Sequence, residues 1–184
     1  MKYLERFKQC LINPTEDQVF DREPLMVFSF YLSGRVNVLC SFAKEIVENL
    51  DAGFSGECID GGRVERAESL MWLWLLGAYE VVRTMHQAKE CFSVRLAQEL
   101  RDLKKSLATV RMPAAKMEKA GGKGVVPSNR SPSGWDVKNR DLLINDPSES
   151  SNISARLMLA EFDRVFCSIS RSDVLAHHEK SYGK

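Results

Sequence analysis

The chain has 184 residues, within the roughly 100 to 200 residues of a single domain, and its 44% hydrophobic and 28% charged residues exclude collagen-like, wholly disordered and disulfide-dense classes. Lys and Arg number 26 against 25 Asp and Glu, a formal net charge of +1, so bulk charge argues neither for nor against a polyanionic partner. Roughly 70% of the unfolded surface is buried by a domain of this size, so neither a metal nor a disulfide is needed for stability, and no cofactor is expected.

Residues 1–12 place Tyr3, Leu4, Phe7, Cys10 and Leu11 at spacings of three and four, which predicts a short helix ending before Pro14. The segment Asp21-Arg22-Glu23-Pro24 has an acidic first turn and a proline, both favoured at a helix start. A long helix to about residue 50 follows, with Leu25, Phe28, Leu32, Leu39, Phe42, Ile46 and Leu50 on its apolar stripe. Glycines at 53, 56, 61 and 62 mark residues 51–62 as a connection.

From Arg63 to about Lys89 the chain has no proline and one glycine, and Leu70-Met71-Trp72-Leu73-Trp74-Leu75-Leu76 is apolar all round. Such a helix must be covered on several sides. The Ser69–Tyr79 run spans 11 residues, where a membrane-spanning helix needs about 20, so it reads as core, with Met71, Trp72 and Trp74 inside it. Near residue 91 the pattern restarts with Phe92, Leu96, Leu100, Leu103 and Leu107, either as a new helix or as a continuation.

Residues 111–150 carry four prolines and four glycines and read as a long, mostly irregular basic loop. Within it, 113–120 is expected to form a helical turn and 135–144 a packed segment. Ser150-Ser151-Asn152 then caps a last helix with Ala155, Met158, Phe162, Val165 and Ile169 on one stripe. Residues 171–184 read as a flexible tail. The fold class expected is all-α, a single domain built as a bundle of four or five helices. The stripes of the first long and last helices suit packing within one chain or across a homodimer equally well.

The five cysteines, Cys10, Cys40, Cys58, Cys91 and Cys167, lie at least 18 residues apart, without metal-binding or redox spacing, and read as reduced core thiols. The N-terminal residues are charged throughout, unlike a secretory signal. The expected location is cytoplasmic, with no membrane partner.

Three constellations bear on function. Arg35 sits where the first long stripe wants an apolar residue, while Glu80 and Arg83 lie three apart in the most apolar helix. Together they form either a buried polar pocket for an anion or an ion pair, Arg35 to Glu80 or Glu80 to Arg83, that sets helix register, and the cost of unpaired buried charge favours the pair.

The second constellation is the basic stretch. Residues 101–140 contain ten Lys and Arg against three acids, a local net of +7, whereas residues 1–60 contain six against ten, or −4. Lys104, Lys105, Arg111, Lys116, Lys119, Lys123 and Arg130 are placed to track a phosphate backbone, and Gly121-Gly122-Lys123-Gly124 to offer N–H groups to an anion. Trp135 is the one aromatic residue of that stretch, so no platform for stacked bases accompanies it.

Third, Arg171-Ser172-Asp173-Val174-Leu175-Ala176-His177-His178 resembles the nuclease motif of the HEPN family, an Arg followed by His at a short gap late in a small helical bundle. The resemblance implies metal-independent RNA cleavage, with His177 as acid or base and Arg171 stabilising the phosphorane. No hydrolase elbow, zinc-protease, nucleotide-binding or calcium-loop motif is present. The leading expectation is a non-enzymatic helical-bundle protein that binds nucleic acid or an acidic protein through residues 101–140. HEPN-like ribonuclease activity is the alternative.

Overall fold

A computed structural model describes residues 1–10 (backbone only for 7–10), 15–116, 118, 125, 133–144 and 153–175. Seven α-helices and one small hairpin are found among them: α1 (Lys2–Cys10), α2 (Glu16–Arg22), α3 (Pro24–Phe28), α4 (Phe30–Gly53), α5 (Gly61–Gln87), α6 (Val94–Lys116), β1 (Gly134–Asp136), β2 (Asp141–Leu143) and α7 (Ala155–Cys167). The fold is all-α, a helical bundle, as the periodicity predicts. No helix among the described residues is long and apolar enough to cross a membrane.

The long helix expected from residue 24 is two helices. Ser29 is extended, with φ −167°, and its hydroxyl accepts from the Leu32 amide at 3.4 Å, so it caps α4 and ends α3. Helix α2, hidden in a polar stretch, precedes them and buries no side chain of its own. Between α4 and α5 the chain turns where Gly53 lies against Val64. A Cβ at position 53 would meet the Val64 Cγ2 at 2.8 Å, so glycine lets the helices converge there. Asp60 caps α5 by accepting from the Arg63 amide at 3.2 Å.

Helices α5 and α6 are separate. A 3₁₀ turn at Lys89–Cys91 intervenes, and the Ser93 hydroxyl caps α6 through the Leu96 amide at 3.2 Å. Helix α6 runs past the boundary expected at residue 111 and carries Pro113 within it. A proline inside a helix costs about 3 kcal/mol through its missing N–H and its ring. Here the helix continues because Leu103, Leu107, Val110 and Pro113 all bury on one face, and packing offsets the loss.

The expected packed segment at 135–144 is the hairpin, with Trp135 opposite Leu142 and Asp136 opposite Asp141. Asp136 closes the turn by accepting from the Asn139 amide at 3.1 Å and side-chain nitrogen at 2.7 Å, and Arg140 takes the left-handed conformation, φ 54°. Asp141 is 5% exposed, and its carboxylate accepts from the Ser154 hydroxyl and the Arg156 amide, which ties the hairpin to the start of α7. Ser154, not the polar run before it, is the α7 cap.

The core centres on α5. Trp74 meets Phe162 of α7 edge-on with centroids 5.2 Å apart, Phe162 stacks on Phe166 at 4.2 Å, and Tyr3 of α1 meets Phe166 edge-on at 6.3 Å. Ala155, Met158, Phe162, Val165 and Ile169 are all buried, as are Leu32, Leu39, Ile46 and Leu50 of α4, so both stripes pack within the chain. Trp72, expected in the core beside Met71 and Trp74, is instead 48% exposed. Among the described cysteines Cys40 is buried, Cys91 and Cys167 are half-buried and Cys58 is exposed, which corrects the core assignment for Cys58. Burial pushes the Cys40 thiol up to about 12.

Truncating Phe162 to Ala removes its contacts with Trp74 and Phe166 and is expected to cost about 3 to 5 kcal/mol in urea unfolding. A loss below about 1 kcal/mol would show that the aromatic stack does not hold α7 on α5.

Candidate anion-binding surface

The end of α5 and the outer side of α6 bring together four groups. His86, in the last turn of α5, accepts from the Lys104 ammonium through Nδ1 at 3.2 Å. Its pKa is lowered from the ordinary imidazole value, first by burial and then by the fields of Lys104, Arg101 and Lys89. Lys89 and Arg101 are exposed and Lys104 is half-buried. None of these three cations belongs to an ion pair among the described residues. Cations near a helix C-terminus are favoured by its dipole, which rationalises their placement without a carboxylate.

Neighbouring basic residues are committed to the fold. The Arg83 guanidinium pairs with Glu80 at 2.7 Å, and Arg111 reaches the other Glu80 oxygen at 3.7 Å while lying 4.9 Å from the Tyr79 ring centroid. The half-exposed polar set is thus Glu80 and Arg83 of α5 with Arg111 of α6. Arg35 is not in it, which corrects the expected inward orientation: it is exposed on α4 and stacks over the Tyr31 ring at 3.9 Å. Residue 35 lies off the Leu32–Val36–Leu39 line, on the face where Tyr31 and Val38 are also exposed.

Of the basic residues singled out from the sequence, Lys104 is in the cluster. Lys105 is exposed beside it and pairs weakly with Asp102 at 3.8 Å. Lys116 is exposed at the end of α6. Lys119, Lys123 and Arg130 lie outside the described residues. His86 and Lys89 were missed as members because they precede residue 101 in the chain. They join α6 through the reversal at residues 88–93, which a linear charge count does not register.

The start of α6 is fixed by Asp173, in a 3₁₀ turn at Arg171–Asp173. Its carboxylate accepts from Arg95 at 2.6 Å, from Ser93 at 2.5 Å and from the Ser170 amide and hydroxyl at 3.0 and 2.8 Å. Backbone bonds from Ser93 to Asp173 and from Leu175 to Cys91 complete the tie. Residues 171–175 therefore belong to the packed domain and not to the expected tail, whose remainder, 176–184, lies outside the described residues. Arg171 is exposed and donates to Asp21 at 3.3 Å, and His177 lies outside the described residues, so the two HEPN-like residues are not seen together.

A buried polar group that the sequence did not reveal lies between α1, α4 and α7. Glu23 is 0% exposed, and no hydrogen-bond partner among the described residues reaches either carboxylate oxygen. The Tyr3 hydroxyl, Ser33 hydroxyl and Asn37 amide are likewise buried without partners. Burial raises the Glu23 pKa, and the nearby Tyr3 hydroxyl and Arg6 offset only part of that rise. In the sequence Glu23 reads as an ordinary first-turn acid, because nothing local shows that α1 covers it.

Comparison with protein-family models, curated proteins and solved structures finds no match.

Burial alone would raise the Asp173 pKa, but the hydrogen bonds from Ser93, Ser170 and Arg95 outweigh it and hold the carboxyl at about 2. The unfolded value is about 4, so this stabilisation is present above about pH 4 and is lost as pH falls toward 2. Asp173→Asn is expected to lower the urea midpoint at pH 7 and to flatten its decline between about pH 4 and 2. An unchanged acid limb would show that Asp173 does not tie the α6 start.

Proposed function

We propose that this chain is a non-enzymatic, cytoplasmic binding protein that takes the phosphate backbone of a nucleic acid on the face formed by Lys89, Arg101 and Lys104, with Lys105 and Lys116 extending it. The observation that carries this reading is the contrast in charge use. Arg83, Arg95 and Arg111 are paired with carboxylates within the fold, whereas Lys89 and Arg101 are exposed and Lys104 donates to the His86 ring, and none of the three meets a carboxylate among the described residues. Their fields add to burial in lowering the His86 pKa.

Phosphate contacts of this kind position a strand without reading its sequence. Phe92, the aromatic residue nearest the cluster in the chain, is 3% exposed and offers no stacking surface, which favours backbone contact over base recognition. The four free thiols among the described residues suit a reducing compartment.

Fluorescence anisotropy with a labelled single-stranded RNA tests the reading. Each phosphate neutralised on a single strand contributes about −0.7 to the slope of log K against log salt. Lys89→Gln, Arg101→Gln and Lys104→Gln combined are therefore expected to weaken binding and make that slope shallower by about 2, with the thermal midpoint unchanged. Wild-type binding that is absent, insensitive to salt or unaltered in the variant would contradict it, and binding to an acidic polypeptide but not to RNA would identify a protein partner instead.

A further inference from the structure

A second surface of α5, opposite in charge, lies near its other end. The hairpin packs there, with Trp135 close to Gly61, where a Cβ would stand 3.7 Å from the indole. Between this hairpin, α5 and the end of α6 is a cavity of about 650 Å³, within the range of roughly 300 to 1,000 Å³ typical of small-molecule sites.

Its described walls are apolar, formed by Met71, Leu75, Leu142 and Ile144 among others, and every charged residue among them is a carboxylate, Glu65 or Glu68. Trp72 lines it with 48% of its surface exposed, in the middle of a helix whose neighbours Met71 and Trp74 are buried. The indole is held in place because its Nε1 donates to the Ala114 carbonyl at 3.0 Å.

Glu68 is oriented by the Ser133 hydroxyl, which donates to Oε1, and by the Trp135 indole N–H, 3.4 Å from Oε2. Glu65 lies one turn before it, exposed, and belongs to no ion pair among the described residues. Two carboxylates three residues apart on a helix repel each other, and a cation between them relieves that repulsion. Indole faces also attract cations.

We propose that this cavity is a binding site for an organic cation with an apolar body, an alkyl or arylalkyl ammonium, whose head group meets Glu65 and Glu68 and whose body lies along Trp72 and Leu75. An anionic amphiphile of the same length would place its charge against two carboxylates. The site stands independently of the basic face at the other end of α5.

Calorimetric titration of the full chain with decylamine, decanol and decanoate tests it, below the concentrations at which these self-associate. Decylamine is expected to bind saturably at one site, about tenfold or more tighter than decanoate. Ser69→Trp, which fills the cavity from an exposed wall position, is expected to lower decylamine affinity about tenfold or more while the far-ultraviolet circular dichroism is kept. Glu65→Gln is expected to reduce the preference for decylamine over decanol without altering the thermal midpoint, and it decides the matter if the tryptophan variant does not fold. Absence of saturable binding, decanoate binding as tight as decylamine, or an undiminished amine preference in Glu65→Gln would overturn the proposal.

Discussion

The middle of α5 is apolar on every side, and the rest of the molecule is arranged to cover most of it, with Trp72 and Leu73 left 48% and 44% exposed. Helix α7 supplies Phe162 against Trp74, while α4 and α6 contribute Leu39, Ile46, Leu100 and Leu103 to the same core. The cover is incomplete at two places. Beside the hairpin, Trp72 is partly exposed at the acidic cavity, and at the C-terminal end of α5 the reversal into α6 leaves His86 among cations. Both candidate surfaces therefore arise where the packing around a single helix is incomplete.

Charge is divided in the same way. Glu80 gathers Arg83 of its own helix and Arg111 of α6, Asp173 gathers Arg95 with two serines, and Asp51 takes Arg156, so that Arg111, Arg95 and Arg156 each join elements. Such pairs are partly exposed and contribute little energy individually, about 1 kcal/mol or less. Near His86, Lys104 joins α6 to α5 through the imidazole without meeting a carboxylate, and Lys89 and Arg101 make no ion pair among the described residues. Asp173 matters to them indirectly, since it anchors the first turn of the helix that carries Arg101 and Lys104.

The helices were legible where a stripe is long and its burial is decided locally. Leu96, Leu100, Leu103 and Leu107 on α6, and Met158, Phe162 and Val165 on α7, were all assigned to the core from spacing alone. What escaped depends on partners distant in sequence. Ser29 splits a stripe that looked continuous, because a cap needs only one hydroxyl and one extended residue. Pro113 stays helical because its ring packs in the core. The hairpin has strands of three residues and no Asn-Gly turn, so no alternation was long enough to signal it. At the basic site, Lys104 and Lys105 were found by counting charge, whereas His86 and Lys89 required knowledge of how the chain reverses. Arg35 was misplaced because its position along a stripe was read without knowing which flank of α4 lacks a neighbour.

The cations around His86 that meet no carboxylate among the described residues are the feature on which the binding account rests, and the imidazole is their natural reporter. Following the His86 ring protons by NMR across pH, with and without a short single-stranded RNA at low salt, separates the two causes of its lowered pKa, because burial stays and the cations' contribution changes when phosphates bind. Free protein should titrate below the unperturbed value of about 6.5, and bound phosphates, by neutralising Lys89, Arg101 and Lys104, should move the midpoint upward. A midpoint at or above the unperturbed value in the free protein, or one that does not move while RNA is bound, would contradict the account.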